Sequence, residues 1–151
     1  MSNEENMITT DNPLNKVQQK KLASLLDVII PPSNDGRLPS AAEVDLITYL
    51  QTHAADFMPA LVQTVEDLDD QFTTLERSER YPIVEELSTT SAAVFGMILF
   101  HVYACYYQDD RVHQAIGMES GPPFPRGNTV ETGDLSLLDP VMERPSMYRR
   151  T

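Results

Sequence analysis

His101 and Cys105 stand at i and i+4, and Asp109 follows one further turn on. In a helix that spacing puts imidazole, thiol and carboxylate on one face. It could supply half of a metal site or a Cys/His nucleophilic pair. The rest of the chain completes neither. The other histidines are His53 and His113, and no second closely spaced His/Cys pair exists. Cys105 is the single cysteine and lies in an apolar run, a setting that keeps a thiol protonated and inert. The residues read as a buried histidine and thiol in a packed core. The competing reading is a stand-alone enzyme using His101, Cys105 and Tyr103.

Two further clusters fail on their own terms. Asp67-x-Asp69-x-Gln71 starts like a calcium loop, but Phe72 stands where the loop needs glycine and Ser78 where it needs glutamate. Glu85 and Glu86 are adjacent, so a helix points them to different faces and they form no acid/base dyad. No GxGxxG, no phosphate-binding glycine loop and no GxSxG motif occurs. The expectation is therefore no catalytic, cofactor-binding or metal-ligating residue in this chain.

These residues need helices to position them. Ala92 to Tyr107, AAVFGMILFHVYACYY, contains no formally charged residue. A helix apolar nearly all round is expected to be buried, and at about 1.5 Å per residue this one is too short to span a bilayer. It is expected to be the central helix, with Gly96 marking a close helix crossing. Before it, Leu22, Leu25, Leu26 and Ile29 form one stripe of a helix over residues 14–30, stopped by Pro31-Pro32. Lys16, Lys20 and Lys21 lie against its dipole. Ser40-Ala-Ala-Glu43 has capping-box form and predicts a second helix from Ala41. Leu61, Val65, Leu68, Phe72 and Leu75 predict a third over residues 59–76, its acidic face solvated. Ser78 opens a short helix containing Pro82, and Asp109 or Asp110 caps a last one ending at Gly117.

The expected fold is all-α, a compact bundle of about five to six helices over residues 14–117. A loose arm, 1–13, precedes it. An extended Pro-rich tail, 118–151, follows and either belongs to the same domain or wraps a partner. The 151 residues suit one core. A net charge of −12 disfavours nucleic acid and anionic membrane surfaces. The N-terminus carries no basic n-region, apolar h-region or twin arginine, so the cytoplasm is the expected compartment, or the periplasm if a signal is supplied elsewhere.

LASLLDVIIPPSNDGRLPSAAEVDLITYL, from Leu22 to Leu50, resembles the opening of the gluconate 2-dehydrogenase subunit 3 family. Tyr106-Tyr107-Gln108-Asp109-Asp110-Arg111-Val112, Ile116-Gly117, Gly121-Pro122-Pro123, Pro125-Arg126-Gly127 and the Arg144-Pro145…Tyr148-Arg149 end resemble its closing signature. Asp110 departs from it, standing where proline is more usual. The resemblance implies a non-catalytic small subunit of an FAD-dependent sugar or sugar-acid dehydrogenase. Its partner would be a large flavoprotein of the glucose–methanol–choline type, which holds the FAD and passes electrons to a cytochrome or another acceptor. The small subunit would stabilise or mature that partner. Many members carry a twin-arginine signal, which this sequence lacks. The candidate partner contacts are Tyr106, Tyr107, Phe124, Arg126, Tyr148 and Arg149, because Tyr and Arg are enriched in interface hot spots. Equally, they could pin the tail to its own body. The alternative to an accessory subunit is a stand-alone helical binding or oligomeric protein.

Overall fold

In the computed structural model the chain divides into two units, Met1–Ser120 and Gly121–Thr151. The structure describes residues 12–118 and 133–144, and all regular elements among them are helical. The fold is all-α, as the periodicity predicts. Of the expected arm only Asn12 and Pro13 are described. The stretch Gly121–Gly127 lies outside the described residues.

Helix α1, Lys16–Ile29, starts from a complete capping box. The Asn15 side chain accepts from the N–H groups of Val17 and Gln18 at 2.9 and 3.0 Å, and Gln18 accepts from the Asn15 N–H at 2.9 Å. After Pro31-Pro32 the chain closes a small loop through Gly36, whose φ of +69° suits glycine. It then returns to the end of α1, where the Ala41 N–H donates to the Ile30 carbonyl at 2.9 Å.

The second helix does not begin at Ala41. The Ser40–Glu43 box forms, but it opens only a 3-10 turn, Ala41–Glu43, because Val44 turns extended. Asp45 then caps α2, Leu46–His53, accepting from the Thr48 N–H at 3.0 Å. The third helix is shorter than its heptad pattern. Helix α3 covers Met58–Asp67, Leu68 goes extended, and Asp69 caps a 3-10 turn, Asp70–Thr73. Conversely, α4 is longer than expected. It runs Arg77–Thr90 through Pro82, with the Glu79 carboxylate accepting from the Glu76 N–H at 2.8 Å. At Ser91 the chain turns by 116° into α5, Ala92–Tyr106. Asp109 caps α6, Asp110–Ala115, and Gly117 closes it with φ +77°. In the second unit a 3-10 turn, Leu135–Leu138, runs into α7, Asp139–Met142. That part of the tail is helical where an extended chain was expected.

Two apolar clusters make the core of the first unit. The larger gathers Leu22 and Leu26 of α1, Leu46 and Leu50 of α2, Leu61 and Val65 of α3, Ile98, Val102 and Tyr106 of α5, and Val112 of α6. The smaller joins Leu25, Leu68, Phe72 and Val84. Helix α1 serves both clusters and packs on α3, α4 and both neighbouring 3-10 turns. The structural centre is therefore α1, not the apolar helix α5. Among the described residues no single helix is long and apolar enough to cross a membrane.

Candidate functional site

His101 lies inside the bundle, 6% exposed. Its ring centroid is 5.0 Å from Phe57, 5.2 Å from Phe100 and 6.1 Å from Tyr49, and neither ring nitrogen has a hydrogen-bond partner among the described residues. Burial pushes its pKa below the ordinary histidine value, so the neutral ring is the resident form. Cys105 is half-buried, and desolvation together with the charges of Asp45 and Asp109 raises its thiol pKa to about 11. Asp109 is committed elsewhere. It accepts from the Arg111 N–H at 2.8 Å as the α6 cap and pairs with the Arg111 guanidinium at 2.8 Å, whose hydrogen bond holds its carboxyl below the usual range. Asp109 lies beyond the end of α5, so the predicted face carries only His101 and Cys105, and the three groups have three separate structural roles. Among the described residues no three His, Cys, Asp or Glu side chains converge as metal ligands would.

The acidic run after α3 is likewise occupied. Asp67 accepts from the Gln63 amide at 2.8 Å, Asp69 accepts from the Gln71 N–H at 2.7 Å, and Asp70 pairs with Lys21 at 2.7 Å.

The candidate contact residues Tyr106 and Tyr107 part company. The Tyr106 ring is buried and its hydroxyl donates to the Pro39 carbonyl at 2.9 Å, tying α5 to the loop before the Ala41 turn. Tyr107 is 54% exposed, its ring edge-on to Tyr106 at 5.4 Å. Phe124, Arg126, Tyr148 and Arg149 lie outside the described residues.

The most informative surface is α5 itself. Ile98, His101, Val102 and Tyr106 face the core. On the other side Ala92, Ala93, Gly96, Met97, Phe100, Tyr103 and Tyr107 are exposed, Phe100 by 61%. At about 100° per residue these fall on one arc of roughly 140°. The helix expected to be buried all round is therefore buried on one side only. Its neighbours α2, α3 and α4 cover a single face, and among the described residues of the first unit no element lies over the other. Among the described residues a Cβ on Gly96 would meet nothing within 4 Å, so Gly96 marks no helix crossing between them. An uncharged face of Phe, Met and Tyr around a glycine has the composition of an interface core. The signal was available in the sequence as apolarity without periodicity, which a helix half-covered by its own fold also produces. Comparison with protein-family models, with curated proteins and with solved structures found no match for the chain.

Proposed function

We propose that this chain is a non-catalytic accessory subunit that stabilises or matures a large FAD-containing sugar or sugar-acid dehydrogenase of the glucose–methanol–choline type. The observation that carries an interaction role is the uncovered apolar face of α5, where Met97, Phe100, Tyr103 and Tyr107 stand out from the bundle. The kind of partner rests on the resemblance of Leu22–Leu50 and of Tyr106–Gly117 to the gluconate 2-dehydrogenase subunit 3 family. The polar groups of the His101 region are used for packing and capping, which suits a subunit whose partner holds the flavin and performs the oxidation.

A second reading has one observation in its favour. The α5 face carries no charge, so two copies of the chain could pack there without repulsion. The deciding experiment is co-expression with a large flavoprotein of the glucose–methanol–choline type. The accessory reading expects a soluble, active complex, and a large subunit that is insoluble or loses FAD without this chain. A flavoprotein equally soluble and active alone overturns it. A monodisperse homo-oligomer of the isolated chain with its α5 face covered supports the second reading.

A further inference from the structure

The exposed face of α5 continues through Tyr103 into a groove of about 270 Å³ shared with α1 and α4. Its floor is apolar, made by Ile29, Val84, Phe95 and Leu99. Its rim carries the exposed rings of Tyr81 and Tyr103 and the exposed carboxylate of Glu85. Glu85 is the one charged group lining the groove, and it takes part in no ion pair among the described residues. Three cations of the surrounding helices are engaged elsewhere: Arg77 with Asp27, Arg80 with the carbonyls of Phe72 and Thr73, and Lys21 with Leu68 and Asp70. On the other flank of α4 a second groove repeats the pattern, its charged lining being the carboxylates of Asp67 and Glu86.

We propose that the α1–α4–α5 groove receives a basic amphipathic segment of a partner protein, its apolar side on Phe100, Tyr103 and the groove floor and a Lys or Arg against Glu85. This rests on the reading of the α5 face as the docking surface and specifies the chemistry of what docks. Long basic side chains lay an aliphatic stem on apolar surface while the charged head reaches a carboxylate at the edge, the combination the groove offers. The net charge of −12 attracts a cationic segment to the chain and repels an acidic one, and Glu85 gives that attraction a local end point.

The chain contains no tryptophan, so a peptide carrying one reports its own binding by fluorescence. Two synthetic helical peptides of the length of α5 serve as probes, each with a Leu/Ala face and one Trp, one with Lys and the other with Glu along the edge. At low salt the Lys peptide is expected to bind the full chain about tenfold more tightly than the Glu peptide, with the difference shrinking as salt rises. Glu85→Gln should remove several-fold of that preference. Phe100→Asp, checked for unchanged helicity, should abolish binding of both peptides. Equal binding of the two peptides, lost with Phe100→Asp, overturns the basic partner while leaving the docking face standing. Binding of neither peptide, or binding indifferent to Phe100→Asp, overturns both. A dimer of the chain alone that dissociates with Phe100→Asp assigns the face to a second copy. Co-flotation with phosphatidylcholine vesicles assigns it to lipid. Either result also overturns the proposal.

Discussion

The ammonium group of Lys21, on a side chain buried in the core, donates to the backbone carbonyl of Leu68 at 2.6 Å. The same nitrogen pairs with Asp70 at 2.7 Å. Leu68 is the residue at which α3 stops, its carbonyl released from the helical ladder by an extended ψ of 138°. A buried lysine that satisfies that carbonyl fixes the break and turns the following 3-10 segment, with Phe72, onto α1.

Removing the donor should therefore cost more than removing the ion pair. Lys21→Met keeps the apolar stem but strands the Leu68 carbonyl, and is expected to lower stability by about 1–3 kcal/mol. Asp70→Ala removes a partner whose side chain is 86% exposed, and should cost under about 1 kcal/mol. Urea titrations of both variants decide it. Equal losses would mean that the ion pair, and not the carbonyl bond, holds the break.

The pH dependence of stability should carry the mark of His101. The fold accommodates the neutral ring, so the unfolded chain takes up the proton first. The contribution of His101 is complete above the ordinary histidine value of 6.5 and declines as pH falls below it. The carboxylates held low, Asp27 and Asp109, change charge only below the carboxylate range and leave this window to histidine. Asp27 is held low although burial opposes it, by hydrogen bonds from Arg77 and Ser40. His101→Leu should flatten the decline between about pH 7 and 5 with little loss at neutral pH, since the ring nitrogens make no hydrogen bond that leucine would forfeit. An unchanged slope in chemical denaturation across that range would refute the assignment.

Cys105 should behave as an inert core thiol. With its pKa at about 11, against 9.0 for an unperturbed thiol, the reactive thiolate at pH 8 is depleted roughly a hundredfold in the folded chain. Iodoacetamide labelling followed by mass spectrometry should be slower by at least that factor in the native protein than in urea. Rapid native labelling would reopen the reading of His101 and Cys105 as a reactive pair.

Much of this architecture was legible in the sequence, and the failures have physical causes. The limits of α5 follow from an apolar run between Ser91 and the Asp109 cap. Which of its faces is buried does not, because a run apolar on both sides carries no periodic signal. Adjacent Tyr106 and Tyr107 look alike as letters, yet a 100° step sends one ring to Pro39 and the other to the surface. The Ser40 box is legible as a cap, but whether it opens one turn or a helix depends on Val44 packing into the core, a tertiary event. The seam from Leu61 to Leu75 hid its break because Leu68 and its seam neighbours Val65 and Phe72 all stay buried through it. The bond that stabilises the break comes from a lysine 47 residues away.

The two faces of α5 make the sharpest test, because they lie on one helix of nearly uniform composition. Ile98 is 1% exposed and fully packed, so Ile98→Ala should cost about 2–5 kcal/mol in transfer and cavity terms. Phe100 is 61% exposed and loses little of its own burial on truncation, so Phe100→Ala should change stability by no more than about 0.5 kcal/mol. In a complex the order reverses in meaning. Phe100→Ala, folded as well as the parent, should weaken partner capture by about tenfold or more, as truncation of a buried aromatic anchor does. Thermal unfolding of the isolated chain and affinity capture of the co-expressed partner read the two effects separately. If Phe100→Ala unfolds the chain, the face is internal to the fold and no docking surface. If the variant folds and captures its partner as the parent does, α5 lies outside the interface.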